Sequence, residues 1–191
     1  MLTDKANYLS TGAHIGMTSC TKYMKNFMYK IREDGLVVFN LQQVDERIKV
    51  AADFLSQYER VLVAAHKQSA YLPAKKFAET IEGKSVLSRF SPGTLTNPSY
   101  KEFYEPDVIL IVDPLVDTQA IKEAKKRRVP IVALCDTFNE AANIDLVIPS
   151  NNNGRKSIGM ILWLMAREIL KNKGKIKKDS DFKPELKEFT G

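Results

Sequence analysis

Short apolar runs alternate with amphipathic segments along most of the chain. Continuous apolar runs are typical of strands buried on both faces of a sheet, and such runs lie within the strands predicted at 36–39, 60–65, 107–112, 131–135 and 146–148. A further short strand is predicted at 84–88. Apolar residues at helical spacing predict helices between or after these runs, at 42–58, from Pro73 to 81, 118–128 and 154–170. Pro73 is expected near the first turn of its helix. The alternation predicts one mostly parallel sheet with helices on both faces, a doubly wound α/β fold.

Two segments lie outside this alternation. Residues 22–32 interleave aromatic and basic side chains before a turn at Asp34-Gly35, which predicts a short basic N-terminal ribbon. From Lys171 to Lys178 almost every residue is basic or polar, so we expect a basic tail that is disordered without a partner. The sequence therefore predicts a single domain over 1–170 and a basic, mixed-charge tail over 171–191.

Composition narrows the class of protein. With 44% hydrophobic residues in a chain of 191, one well-cored domain is expected. Lys and Arg exceed Asp and Glu by 29 to 23, a modest excess that fits a polyanionic partner or simply a basic soluble domain. Cys20 and Cys135 lie far apart, which favours a reducing compartment. No apolar run is long enough to cross a bilayer and the N-terminus has no signal-peptide pattern, so we expect a cytoplasmic protein without membrane contact.

An enzymatic interpretation rests on polar residues that follow the predicted strands. His66, Asp113 and Asp136 with Thr137 could perform acid–base chemistry on a phosphorylated metabolite at the strand ends. The same residue types commonly cap helices and order loops, and neither glycine-rich phosphate loop occurs. His14, Cys20, His66 and Cys135 match no zinc spacing, so no metal or cofactor is expected. A protein-binding adaptor is a third possibility, for which exposed apolar patches would be the sign.

Basic clusters favour RNA as the partner. The cations of residues 22–32 could neutralise phosphates while the neighbouring aromatic rings stack on unpaired bases. Arg155 and Lys156 lie at a predicted helix N-terminus, where free N–H groups also attract phosphate. Each cluster could instead be a solvated face, and the cations of Lys122–Arg128 could simply favour the helix dipole. The long loop 89–98 carries two prolines and a glycine, and such loops usually have a function.

This loop also carries a family resemblance. Arg89-Phe90 followed by Pro92-Gly-Thr-Leu-Thr-Asn97 resembles the signature of the small-subunit ribosomal protein SA family. That family includes the laminin-receptor-like proteins of eukaryotes, their archaeal relatives and bacterial protein two of the small subunit. Further blocks resemble the family in the same order, over about 8–170: Gly12–Gly16, Tyr29–Gly35, Leu41–Arg47, Val112–Pro114, Pro130–Thr137, Ile144–Pro149 and Arg155–Ser157. Each block is weak alone, and together they are highly specific.

Departures from the family pattern indicate an archaeal type. The chain has no room after its first predicted helix for the helical hairpin of bacterial members, and Met17 stands where their second histidine lies. The long acidic extension of eukaryotic members is replaced by a short basic tail. The laminin-binding role of those members is therefore not carried over.

The resemblance implies a flavodoxin-like domain at the head–body junction of the small subunit, acting as a structural constituent of the ribosome. It implies contacts with ribosomal RNA and neighbouring small-subunit proteins, no catalytic residues, no cofactor and no small-molecule substrate. The expected RNA-binding residues are His14, Lys22, Lys25, Lys30, Arg32, Arg89, Thr94, Thr96, Asn97, Arg155 and Lys156. The basic side chains would contact phosphates, and the polar side chains and backbone amides would fix the orientation.

Overall fold

The computed structural model describes the backbone of residues 1–191 and every side chain except that of residue 180. The strands are β1 (Met28–Ile31), β2 (Val37–Phe39), β3 (Val61–Ala65), β4 (Lys84–Leu87), β5 (Val108–Ile111), β6 (Ile131–Cys135) and β7 (Leu146–Pro149). The α-helices are α1 (Lys5–Thr11), α2 (Leu41–Ser56), α3 (Gln68–Ile81), α4 (Thr118–Arg127), α5 (Arg155–Asn172) and α6 (Leu186–Thr190). No helix in this described part of the chain is both long and apolar enough to span a membrane.

Five strands form one parallel sheet in the order β4-β3-β5-β6-β7. This is the strand order of flavodoxin-like doubly wound folds. The central strand β5 is buried at every position, as its continuous apolar run Val108–Ile111 requires. The doubly wound α/β fold class expected from the sequence is confirmed.

Helices cover both faces of the sheet. Helix α3 connects β3 to β4 and helix α4 connects β5 to β6, and these two connections run in opposite directions along the strand order. Because such connections are right-handed, the two helices lie on opposite faces of the sheet. Helices α2 and α3 both pack against α5 on one face. The other face is covered by α4 and the connection at 88–107, whose Phe90 and Leu95 are buried with Ala120 and Ala124 of α4.

Helix α5 is the centre of its face. It packs against α1, α2, α3 and α6, and its buried positions therefore extend beyond a single stripe. Gly159 is needed where α6 crosses, because a β-carbon there would lie 2.8 Å from the carbonyl oxygen of Phe189. Even Arg167 is 5% exposed, and its guanidinium donates to the carbonyl of Leu2 at 2.6 Å.

Beyond the basic stretch 171–178, the residues near the end of the sequence pack on the domain. Phe189 is fully buried beside α3 and α5, and the ring of Phe182 packs edge-on to Trp163 with centroids 5.7 Å apart. The indole N–H of Trp163 donates to the carbonyl of Pro184 at 2.8 Å. A few apolar side chains within a polar segment are enough to dock it, and a composition average hides them.

Two further features differ from the sequence prediction. Helix α3 begins at Gln68, so Pro73 lies inside it and not at its first turn. Buried Ala70 lies at helical spacing from Ala74, so the apolar pattern extends before the proline, whose preference for the first helical turn favoured a later start. The apolar run that begins at Leu36 is buried, but its strand β2 pairs with β1 in an antiparallel hairpin outside the parallel sheet.

Candidate nucleic-acid interface

Segments that carry several of the candidate residues lie where the parallel strands end. The N–H of Asn151, after β7, donates to the carbonyl of Ala13 at 3.2 Å. The N–H of Thr21 donates to the carbonyl of Thr137, after β6, at 2.9 Å. Segments far apart in sequence are thereby joined at one side of the molecule, which we call the carboxyl edge.

The N-terminal segment is locked against this edge by a close backbone approach. A β-carbon at Gly16 would lie 2.4 Å from Cγ2 of Thr137, so only glycine fits. The next N–H, of Met17, donates to the Thr137 hydroxyl at 3.0 Å. His14 is half-buried, with Nδ1 3.3 Å from the carbonyl oxygen of Tyr8. His14 is therefore oriented by α1, and only part of its ring is available to a partner.

A buried polar network supports the edge from beneath. Asn139 donates to Asp113 at 3.1 Å and accepts from Asn152 at 2.9 Å. Asn152 also donates to the carbonyls of Val112 and Leu134, at 3.3 and 3.2 Å, which ties the ends of β5 and β6 together. These bonds fix the loops after the strands as one rigid surface.

The two carboxylates proposed for catalysis, Asp113 and Asp136, are held by hydrogen bonds and an ion pair within this region. Asp113 pairs with Lys67 and accepts from Asn139, and Asp136 accepts from the N–H of Thr137 at 2.6 Å. Neither carboxylate bonds the ring of His66 among the described side chains, and those side chains contain no cluster of metal ligands. Burial raises the pKa of Asp136, against the lowering effect of these hydrogen bonds. Both carboxylates hold loops in place, which is the structural role weighed against catalysis above.

The loop 89–97 is folded around a single carboxylate that the site prediction did not include. Glu123 of α4 is 3% exposed and accepts from the N–H groups of Gly93 and Leu95, at 2.7 and 3.0 Å. Burial acts to raise its pKa, but these two N–H groups, with the side chains of Gln119 and Thr96, hold the pKa below its usual value. Its burial on the loop side of α4 was the missing information, since the sequence shows only an acidic residue within a helix.

This anchoring separates the loop's candidate residues into two kinds. Arg89 and Asn97 are exposed. Thr94 is buried at 3% exposure and donates its hydroxyl to the carbonyl of Ser91 at 2.8 Å. Thr96 is exposed, and its hydroxyl donates to Glu123 at 3.3 Å. Thr94 therefore shapes the loop, while the other three can reach a partner.

Beside Arg89 lies a cavity of about 490 Å³ that also reaches His66 and Asp117. It adjoins the ends of β3 and β5, the switch point where doubly wound folds usually take ligands. Burial raises the pKa of Asp117 to about 6, partly offset by the N–H of His66, which lies 3.5 Å from its carboxylate.

The hairpin β1–β2 and the segment just before it project basic side chains into solvent. Lys22, Lys25, Lys30 and Arg32 are all exposed, and Arg32 pairs with Asp34 at 3.1 Å. The rings of Tyr23 and Tyr29 are also exposed, at 43% and 68%, among these cations. Phe27 is buried instead, with the Arg47 guanidinium 5.3 Å from its ring centre.

Arg155 and Lys156 are exposed at the first turn of α5. The preceding turn is closed by Asn151, whose side-chain oxygen accepts from the N–H groups of Asn153 and Gly154 at 2.9 and 3.2 Å. The guanidinium of Arg155 also lies against Gly191: a β-carbon built on this glycine would overlap the guanidinium. The cations predicted at this helix start are thus at the surface.

Comparison with known proteins identifies the family of the chain. The family model for ribosomal protein S2 matches residues 99–172. Small ribosomal subunit protein uS2 of Saccharolobus solfataricus is 46% identical over 99% of this chain and 83% of its own length. The protein of the same name from Staphylothermus marinus is also 46% identical, over 99% and 87%, and that of Picrophilus torridus 43%, over 99% and 96%. The chain therefore belongs to the S2 (uS2) family of small-subunit ribosomal proteins, in its archaeal type.

Proposed function

We propose that this chain is a structural constituent of the small ribosomal subunit, docked at the head–body junction on folded ribosomal RNA and neighbouring proteins. The observation that carries the proposal is its similarity, along 99% of its length, to proteins named small ribosomal subunit protein uS2. Members of this family are structural and non-enzymatic. The chain would work on the ribosome in the cytoplasm.

The docking surface we propose is the carboxyl edge with the adjoining hairpin. Exposed cations come from three elements: the hairpin, the loop at Arg89 and the start of α5. The loops after β5, β6 and β7 are cross-linked by buried hydrogen bonds, so the backbone of this part of the surface would lose little entropy on binding. Lys and Arg would displace counterions from phosphates, while exposed Thr and Asn side chains would contact ribose hydroxyls.

The competing proposal of a metabolic enzyme has no support. No comparison names an enzyme among the relatives above, and the strand-end carboxylates Asp113 and Asp136 are engaged by the chain's own amides and by Lys67. A carboxylate held this way by backbone and side-chain donors stabilises loops.

Fractionation of cell lysate on a sucrose gradient, with a high-salt wash and a blot for this protein, tests the proposal. Stable migration with the small subunit is the expected result. Migration only at the top of the gradient would refute it.

The role of RNA is tested separately by filter binding to a small-subunit RNA fragment at several salt concentrations. We expect affinity to fall steeply as salt rises, because each phosphate contact releases counterions. Replacing both Arg155 and Lys156 by alanine should weaken binding, whereas replacing the exposed Lys75 in the middle of α3 should not. Affinity that does not depend on salt would mean that docking depends chiefly on protein neighbours.

A further inference from the structure

The edge of the sheet at which its strands begin lies opposite the carboxyl edge. It carries a second basic surface, which is not part of the proposed interface. A groove of about 570 Å³ opens there, between the ends of α2 and α4 and the starts of β6 and β7. Its lining includes Phe54, Tyr58, Lys125, Arg128, Asn143 and Asp145. We call it the amino-edge groove.

One wall of the groove is aromatic. Phe54 and Tyr58 lie at and just beyond the end of α2, with ring centroids 5.1 Å apart and planes at 66°. Both rings are half-buried. The carbonyl of Tyr58 accepts from Nζ of Lys173 at 3.2 Å, which fixes the backbone that carries the ring. A flat ligand can stack on such a fixed, partly open ring.

The other wall is basic. Nζ of Lys125 donates to the side-chain oxygen of Asn143 at 2.7 Å, which places the ammonium at the groove. Arg128 is exposed, and its guanidinium makes no hydrogen bond or ion pair with the described part of the chain. An arginine with all its donors available beside an aromatic wall suits a phosphate group.

Two residues of this groove hold a backbone conformation that usually selects glycine. Arg128 has φ of 57° and Asn143 has φ of 62°. Arg128 follows the last turn of α4, at the position where glycine is the common helix terminator. An arginine there is less stable than glycine would be, as is Glu82 at the same position after α3.

A carboxylate completes the set of recognition groups. Oδ2 of Asp145 accepts from the N–H of Ile131 at 2.8 Å, which orients the group, and the side chain remains exposed. A carboxylate is an acceptor only and can take further N–H donors from a base. It would repel an acidic peptide, which disfavours that alternative occupant.

We propose that the amino-edge groove binds an unpaired nucleotide of RNA. The base stacks on Tyr58, its N–H edge faces Asp145, and its phosphate lies at Lys125 and Arg128. The inference rests on the proposed function and deepens it: the protein contacts RNA at two opposite edges of its sheet and holds two RNA segments at a fixed separation.

The test is a titration of the ¹⁵N-labelled protein, followed by NMR. Guanosine 5′-monophosphate is the probe, because the guanine edge presents adjacent N–H donors to a carboxylate. We expect saturable amide shifts at 125–129, at 131 and at 143–145, and none there from inorganic phosphate at equal concentration. The absence of shifts with the nucleotide, or the same shifts with phosphate alone, would overturn the proposal. So would an acidic peptide that produces them more strongly.

Variants supply the second readout. Arg128→Gly relaxes the backbone and removes the guanidinium, so it should raise the melting temperature and weaken binding at least about tenfold. Tyr58→Leu keeps most of the packing and removes the stacking surface, with a loss of about tenfold. Lys126→Ala is the matched control: it removes an exposed charge of the same helix turn that does not line the groove. If Arg128→Gly binds as tightly as the native chain, the groove is not the site.

The outcomes for the two edges are separable. The Arg155→Ala/Lys156→Ala variant should leave the nucleotide shifts unchanged while its affinity for the RNA fragment falls. A chain that fails to migrate with the small subunit yet shows the groove shifts would contradict only the ribosomal function. A chain that migrates with the subunit and shows no groove shifts would contradict only the inference.

Discussion

Replacing Glu123 by alanine should release the loop at 89–97. The carboxylate is the acceptor for the N–H groups of Gly93 and Leu95, and Leu95 is 1% exposed. Water cannot easily replace the lost acceptor at Leu95. Each buried donor left without a partner costs about 1–3 kcal/mol. We therefore expect the free energy of unfolding to fall by about 3 kcal/mol in total.

The magnitude is measurable in two ways. Urea denaturation followed by circular dichroism gives the change in free energy of unfolding directly. For a chain of this size, about 3 kcal/mol lowers the melting temperature by roughly 9 °C. Amide hydrogen exchange should become faster at Gly93 and Leu95. In β5 and β6 the free energy of exchange should fall only as much as the free energy of global unfolding falls.

Acidification of the native protein should reproduce part of this loss. The folded state holds the pKa of Glu123 below its ordinary value of 4.5. The stabilisation is therefore complete above that value and is lost as the pH falls through the lower, folded pKa. The alanine variant should lack this component of the acid transition.

Two variants serve as controls. Glu123→Gln keeps one acceptor oxygen and the side-chain shape, so it should cost less than alanine. Glu140→Ala removes an exposed acidic residue and should change stability by no more than about 0.5 kcal/mol. If Glu123→Ala is as mild as Glu140→Ala, the carboxylate does not hold the loop and the reasoning fails.

Three further results are expected. Asp117→Asn should stabilise the protein at pH 7 by up to about 3 kcal/mol, because burial raises the pKa of this carboxyl from 3.8 to about 6. The native protein should then lose stability as the pH rises from about 4 to 6, and the variant should not; parallel urea curves across this range check both. Phe189→Ala should lower the free energy of unfolding by about 3–5 kcal/mol, since the ring is fully buried, and a loss below about 1 kcal/mol would mean that the tail is not docked. In salt titrations of RNA binding, Arg155→Ala and Lys156→Ala should each reduce the slope of log affinity against log salt by about 1, and unchanged slopes would remove them from the interface.

The sheet was predictable because the apolar pattern that indicates its strands and helices lies within each segment of the sequence. Strands β3, β5 and β6 are continuous apolar runs, and helix α2 shows the spacing of an amphipathic helix around Val44 and Ile48. The start of α3 and the docking of α6 were missed. The start of α3 was obscured by Pro73, because proline is common in a first helical turn. The docking of α6 depends on packing against α3 and α5, which are distant in the sequence.

The candidate site was predictable only as a set of exposed cations. Residue type and position indicated Lys22, Arg89 and Arg155, and all three are exposed. The sequence could not show that Thr94 is buried or that Glu123 supports the loop, because both depend on how the 88–107 connection packs on α4. Which of the exposed cations contacts RNA stays a prediction.

The central position of α5 also has a consequence for synthesis of the chain. This helix packs against α1, α2 and α3, yet it is encoded after all five strands of the parallel sheet. While residues 155–172 are still being translated, the apolar faces of α2 and α3 lack their main cover. The nascent chain should therefore reach its native fold only after α5 has been translated, and until then it should be a substrate for chaperones that bind exposed apolar surface.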